Sequence, residues 1–250
     1  MATLAAMATP QEILASKAEA IVMLEPSNAW YQHYWLQQGP RLLDDLDVLM
    51  ATLAPGGRLL DVGVNPPFML ATMRELGYDA QGIDLHPQGF KHASERFGLD
   101  VRAVDIERDS LPFESGSFDL VYIAEVFEHL RINPIFTARE LHRVLRPGGK
   151  MLLRTPNLYS LPGIYSFLVK GMAYSCASDS VFDQYNMINN LGFFGHIREY
   201  TYQELTAFMK RIGFADVSVR FWGGGGRWWT RAVYRVAPNL RYNMMLVATK

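Results

Sequence analysis

One cysteine, Cys176, stands among 250 residues. An internal disulfide is therefore excluded, and the lone thiol fits a reducing, cytoplasmic setting in which it serves as a small buried hydrophobe. Charge is scarce as well. Only 20% of residues are Asp, Glu, Lys or Arg and the formal net charge is −1, so the cationic excess that neutralises phosphates is missing and no nucleic-acid partner is expected. No apolar run reaches the roughly 20 residues of a spanning helix. The stretch 163–177 is interrupted by Lys170, so no membrane insertion is expected. The opening MATLAAMATPQEILASKAEA lacks a basic segment followed by an apolar run and does not read as a secretion signal. Nothing in the sequence reports an oligomeric state.

What is present is core-forming material. Hydrophobic residues make up 49% of the chain, enough for one domain or one domain with an inserted cap. From Arg58 onward short apolar runs alternate with amphipathic stretches, as in a parallel sheet covered by helices on both faces. Strands are expected at Arg58–Val64, Ala80–Asp84, Val101–Val104, Phe118–Ala124 and Gly149–Thr155. Helices are expected near Pro67–Leu76, Gln88–Phe97 and Ile135–Leu145, the last stopped by Pro147-Gly148-Gly149. Thr201 with Glu204 three residues on predicts a capped helix ending near Gly213. Strands at Asp216–Trp222 and Asn243–Thr249, with the glycine run 223–226 and an aromatic, basic loop between them, predict an antiparallel pair at the sheet edge.

The domain plan that follows has a helical lid segment over 1–57 and a main domain over 58–250, within which 156–197 is an aperiodic substrate cap. Trp30, Tyr31, His33, Tyr34 and Trp35 crowd six positions of the lid and cannot all face one core, so some are expected to cover a pocket. From Arg198 to Lys250 there are nine Lys or Arg and three Asp or Glu, an excess that suits a solvated face or an anionic group on a substrate.

In open α/β sheets ligands bind beyond the carboxyl ends of the strands. The first strand ends in Leu60-Asp61-Val62-Gly63, the second in Asp84-Leu85, and the third is followed by Asp105-Ile106. A carboxylate closing the second strand offers two acceptor oxygens in a fork to the hydroxyls of a ribose. Asp105 can accept from an exocyclic amine while Ile106 covers a purine face.

LLDVGV, GIDLHP, VDIERDSLPFESGSFDLVYIAEVFEHL and LHRVLRPGGKMLLRTPN, in this order, resemble the class I S-adenosylmethionine-dependent methyltransferases over roughly Arg58 to Thr155. The resemblance implies a Rossmann-like, seven-stranded doubly wound sheet, mostly parallel with an antiparallel edge strand. It also implies S-adenosylmethionine as cofactor, with Asp61 and Gly63 at its methionine end, Asp84 and Leu85 at the ribose, and Asp105 and Ile106 at the adenine. Ala124-Glu125 would pass under the methyl donor, and Asn65 and Tyr31 complete the cofactor set. Asn65 and Pro67 stand where the family usually has glycine. An extended Asn65-Pro66 is expected, with Pro67 opening the helix where a missing N–H costs little.

Methyl transfer from a sulfonium asks for alignment, exclusion of water and, for a hydroxyl acceptor, removal of a proton. His129 and His196 are the candidate bases, with Glu125 beside them. Glu125, Glu128 and His129 stand at i, i+3 and i+4, so a helical turn would gather them; a similar run is associated with metal in ubiquinone-type relatives, but no metal is assigned here. Arg198-Glu199 reads as a loop salt bridge or an anchor for an anionic substrate. Tyr159, Tyr165, Phe167, Met172, Tyr174, Phe182, Tyr185, Met187, Phe193 and Phe194 suggest an apolar, ring-accepting pocket in the cap, and Trp222, Trp228 and Trp229 a mobile wall beside the glycines. The expected activity is methylation of a small molecule, at a hydroxyl oxygen of a saccharide, lipid-linked glycan or natural product. The alternatives are a non-catalytic binding protein of this fold and a nucleotide-cofactor oxidoreductase.

Overall fold

The computed structural model describes residues 8–175, 180–191, 194–224 and 226–250. Cys176, expected in the core, and Phe193, expected at the pocket, lie outside the described residues. Nine α-helices and seven strands follow along the described chain: α1 Pro10–Leu24, α2 Trp30–Thr52, β1 Arg58–Val62, α3 Phe68–Glu75, β2 Asp79–Asp84, α4 Lys91–Phe97, β3 Val101–Ala103, β4 Phe118–Ala124, α5 Pro134–Val144, β5 Leu145–Pro156, α6 Leu161–Tyr165, α7 Val181–Leu191, α8 Tyr202–Ile212, β6 Asp216–Trp222, α9 Trp228–Val236 and β7 Asn243–Thr249. The strands form one sheet in the order β3-β2-β1-β4-β5-β7-β6. β1 with β2 and β2 with β3 pair parallel, while β7 runs antiparallel to both β5 and β6, so the Rossmann-like, mostly parallel sheet with an antiparallel edge is what the chain builds.

The chain divides into two compact units, one running to Asp105 and including Phe118–Leu120, the other made of Ile106–Ser117 and Val121–Lys250. In the first, α1 opens with a capping box between Thr9 and Glu12 and buries Leu14, Ala18 and Ile21. Its lysine Lys17 pairs with Glu75 of α3 at 3.1 Å, and Glu25 just past its end accepts the Ala93 N–H at 2.9 Å. The ring-rich start of α2 sorts around one partner: the rings of Tyr31, Tyr34 and Trp35 all approach Phe68 within 6.4 Å, whereas Trp30 and His33 face outward. In the second unit the predicted capping box of Thr201 and Glu204 opens α8, and Gly213 closes it.

Three expectations are corrected. Pro67 is the cap of α3 and not its first residue, since its carbonyl accepts the Ala71 N–H and helical geometry begins at Phe68; the Asn65–Pro66 bond is cis. Pro147-Gly148-Gly149 does not end α5, which stops at Val144; these residues already belong to β5, with Gly148 at φ 74°. The cap and the aromatic loop carry helices that the sequence reading left out, namely α6, a π turn over Ser166–Lys170, α7 and α9. Ser160 caps α6 by accepting the Gly163 N–H.

Candidate functional site

In the first unit the loop after β1 carries the site. Gly63 sits at φ 76°, which only glycine adopts without cost, and its N–H donates to the Ile83 carbonyl at 2.9 Å. Asp84 closes β2. Its Oδ1 accepts the His86 N–H at 2.7 Å and its Oδ2 the Asn65 N–H at 3.2 Å. Each oxygen thus keeps a lone pair for a ligand while the backbone holds the fork still. The Tyr31 hydroxyl donates to Asn65 Oδ1 at 2.5 Å, so the first turn of α2 is tied to the same loop. This contact is how Asn65 acts where a glycine is usual: its side chain is a link. Leu85 is half exposed and Asp105 half-buried.

Asp61 is buried, and that burial, reinforced by the charge of Asp84, lifts its carboxyl to about 7. Asp84 is also raised by burial, against the lowering effect of its two backbone N–H donors.

In the second unit Ile106 and Glu107 are fastened to the start of α5. The Thr137 hydroxyl donates to the Ile106 carbonyl at 2.9 Å, and Glu107 Oε1 accepts N–H groups of Arg131 at 2.7 Å and Ile132 at 2.5 Å. At the end of β4, past the half-buried Ala124, Glu125 takes φ 55°, the left-handed region that costs a non-glycine residue about 1 kcal/mol. Its buried Oε1 has no hydrogen-bond partner among the described residues. Backbone strain and an unsatisfied buried oxygen thus coincide at this strand end.

Phe127–His129 is a 3-10 turn and not an α-helical one, and Glu125 is not in the group whose ligand atoms lie within 4.8 Å of one another, although its charge acts on Glu128, His129 and His196. The residues that do converge are Glu128, His129 and His196, with one ligand atom of each within 4.8 Å of the others. Glu128 is fully buried; its Oε2 accepts from the Thr155 hydroxyl at 2.9 Å, and its Oε1 has no hydrogen-bond partner among the described residues. Burial first and the Glu125 charge second raise its carboxyl to about 8.

The two histidines are held differently. His129 Nδ1 lies 2.8 Å from the Phe194 carbonyl and 2.9 Å from that of Gly195, so this nitrogen carries the proton and Nε2 holds the lone pair. Burial and the charge of His196 lower its pKa. His196 Nδ1 lies 2.9 Å from Oε1 of the buried Glu199. Burial alone would depress His196, but the Glu199 hydrogen bond and the charges of Glu128, Glu199 and Glu125 leave it above the ordinary histidine value. The rings meet edge to face with centroids 5.1 Å apart.

Glu199 was missed in the sequence as a partner for His196. Adjacency suggested a pair with Arg198, yet neighbouring side chains diverge: Arg198 bonds Glu204 at 2.6 Å, and Glu199 receives His196 together with the backbone N–H and hydroxyl of Ser175. The His-x-x-Glu spacing was the available signal. A cavity of about 800 Å³ in this unit is lined by Leu158, Met172, Tyr174, Ile197, Arg198 and Glu199 among others. Of the rings proposed for a pocket, Tyr174 lines it; Tyr159, Tyr165, Phe167, Phe182 and Tyr185 are exposed.

The pKa shifts fix a sign for stability. The unfolded chain releases the protons of Asp61 and Glu128 near 3.8 and 4.5, whereas the folded one retains them to about 7 and about 8. Folding therefore draws stability from these groups that is fully present below 3.8 and is lost as pH rises through 7 and 8. The melting temperature should fall across this window, and Asp61→Asn should flatten part of the fall in a calorimetric pH series; a parent-like slope in that variant would refute the assignment.

A methyltransferase-domain family matches residues 31–219. The ubiquinone biosynthesis O-methyltransferase of Xanthomonas oryzae pv. oryzae is 34% identical over 135 residues, 52% of this chain and 55% of that protein. The 2-methyl-6-phytyl-1,4-hydroquinone methyltransferase of Synechocystis sp. is 37% identical over 107 residues, 41% of this chain and 33% of that protein. The chain thus spans about half the length, or less, of these curated relatives. A SAM-dependent methyltransferase from Archaeoglobus fulgidus shares the fold with a TM-score of 0.63 at 16% identity, covering 89% of this chain and 100% of that one. The chain belongs to the class I S-adenosylmethionine-dependent methyltransferases, a family whose cofactor is S-adenosylmethionine. That membership replaces the oxidoreductase alternative.

Proposed function

We propose that the protein transfers the methyl group of S-adenosylmethionine to a hydroxyl oxygen of a small ring compound, a phenol of the quinol kind. Asp84 holds the ribose hydroxyls, Asp61 and Gly63 receive the methionine end, and Asp105 and Ile106 take the adenine. Leu85, Asn65 and Tyr31 complete the cofactor's surroundings, and Ala124-Glu125 lies toward the methyl. The acceptor occupies the cavity that Tyr174 and Glu199 line. His196 Nε2 takes the hydroxyl proton as the oxygen attacks the methyl carbon in line with the departing sulfur, and the products are the methyl ether and S-adenosylhomocysteine.

The observation that carries this reading is the bond between His196 and the buried Glu199. It fixes the tautomer, leaves Nε2 as acceptor and keeps the imidazole basic near neutral pH. His129, neutral beside it, positions the acceptor. The two quinol relatives support a phenolic acceptor over a saccharide or glycan, and the Met172, Tyr174 and Leu158 lining suits a flat ring.

Incubation with methyl-labelled donor and separate panels of alkylated catechols, hydroquinones and saccharides tests it by product mass. Label on a phenolic oxygen is expected. Label on saccharides alone would overturn the acceptor class, and binding of S-adenosylhomocysteine with no acceptor methylated would favour the non-catalytic reading.

A second reading is favoured by the approach of Glu128, His129 and His196, whose donors, with Glu128 Oε1 buried and lacking a hydrogen-bond partner among the described residues, fit a divalent cation. Such an ion, when bound, would acidify an acceptor hydroxyl. Activity that survives dialysis against a chelator supports His196 acting alone; activity lost and restored by magnesium or manganese supports the ion.

A further inference from the structure

We propose that α9 seats this protein on an anionic lipid surface, with its axis in the plane of the interface. The inference stands apart from the methyl-transfer reading. It begins with charge: from Val217 to Lys250 the chain carries six Lys or Arg and no Asp or Glu.

Within α9 that charge is sorted by helical spacing. Tyr234 is buried and Thr230 and Val233 are partly covered, which defines the inner face. Tyr234 anchors it, with the Arg241 guanidinium 5.1 Å from its ring and Gly224 so close that a Cβ there would meet the ring at 2.6 Å. On the opposite side Trp228, Ala232 and Val236 recur every fourth residue and form one apolar row. Arg227, Arg231 and Arg235 recur at the same interval one residue earlier, so a cationic row runs alongside.

The apolar row is left in water. Trp228 is 82% and Val236 86% exposed, with Trp229 at 43%. An exposed indole and valine beside a line of guanidinium groups is the pattern of a helix that buries its apolar side among acyl chains and keeps its cations at phosphate level. A second copy of the chain is a poor occupant, because a symmetric contact would lay one arginine row against another. At nine residues α9 cannot span a bilayer, and no helix among the described residues is long and apolar enough to cross one; α9 therefore lies on the surface.

Co-sedimentation of the full chain with vesicles of phosphatidylcholine alone, or mixed with phosphatidylglycerol, tests the proposal. Binding to the mixed vesicles that weakens with salt is expected, with little binding to phosphatidylcholine alone. Replacing all three arginines, R227Q with R231Q and R235Q, should weaken partition on the order of a hundredfold, at roughly fivefold per cation. Trp228→Ser with Val236→Ser should weaken it about tenfold. Unchanged S-adenosylhomocysteine affinity shows that the variants are folded. The proposal is overturned if the parent ignores anionic vesicles, if it binds neutral ones equally, or if folded variants bind like the parent. A concentration-dependent dimer that the Trp228 and Val236 changes abolish, without vesicle binding, would overturn it too and assign the row to a second copy. Retention by an acidic protein without vesicle binding would do the same for a protein partner.

Discussion

Asp84→Ala is expected to lose at least a hundredfold in affinity for S-adenosylhomocysteine, measured by titration calorimetry. The size follows from the geometry. Both carboxylate oxygens are pinned by backbone N–H groups, from His86 at 2.7 Å and Asn65 at 3.2 Å, so the fork is set before the ligand arrives. Two hydrogen bonds from ribose hydroxyls to a charged acceptor contribute about 1.5–3 kcal/mol each. The alanine variant also frees the Asn65 N–H, and the loop that the Tyr31 hydroxyl braces loses its second tie. Tyr31→Phe should therefore weaken binding about tenfold or less, since a neutral hydrogen bond is worth roughly 1 kcal/mol. Parent-like affinity in Asp84→Ala would remove the ribose assignment and with it the cofactor site.

His196→Gln should slow methyl transfer by about a hundred- to ten-thousandfold, the loss of a general base, while leaving S-adenosylhomocysteine affinity unchanged. The rate of the parent should rise with pH as His196 loses its proton, with a midpoint above the ordinary histidine value because Glu199 and its acidic neighbours favour the charged ring. Glu199→Gln should move that midpoint down and cost less than removal of the ring, because the buried carboxylate acts through the imidazole. A His196→Gln enzyme with parental turnover would exclude His196 as the base, and an unmoved midpoint in Glu199→Gln would show that its contact with the ring is structural only. His129→Gln separates the two histidines: lowered by burial and bonded to two carbonyls, His129 should affect acceptor KM more than kcat.

The legible parts of the molecule were those set by local pattern. β1, β2 and β4 were visible as apolar runs with Asp61, Asp84 and Ala124 at or next to their carboxyl ends, and the capping box at Thr201 announced α8. Asp84 was recognisable because a strand-end carboxylate is a local feature. Glu199 was not, since its bond to His196 depends on a loop whose path no periodicity encodes. The helical spacing of Glu125, Glu128 and His129 misled for a related reason: the chain there is a 3-10 turn, and the third ligand atom near Glu128 and His129 comes from His196 on a distant loop. α9 was hidden by its composition, because Trp, Arg and Val at an exposed surface look like a loop until the four-residue spacing is followed.

Strand β7 lies between β5 and β6 and pairs with both over seven residues, Asn243–Thr249. Synthesis delivers it after the two strands it joins, so a growing chain holds β6 with no sheet partner and one flank of β5 open until this ribbon is threaded in. A premature stop inside 243–249 would leave those open edges permanently, as templates for strands of other chains. Nonsense variants in this short stretch should accumulate as insoluble material.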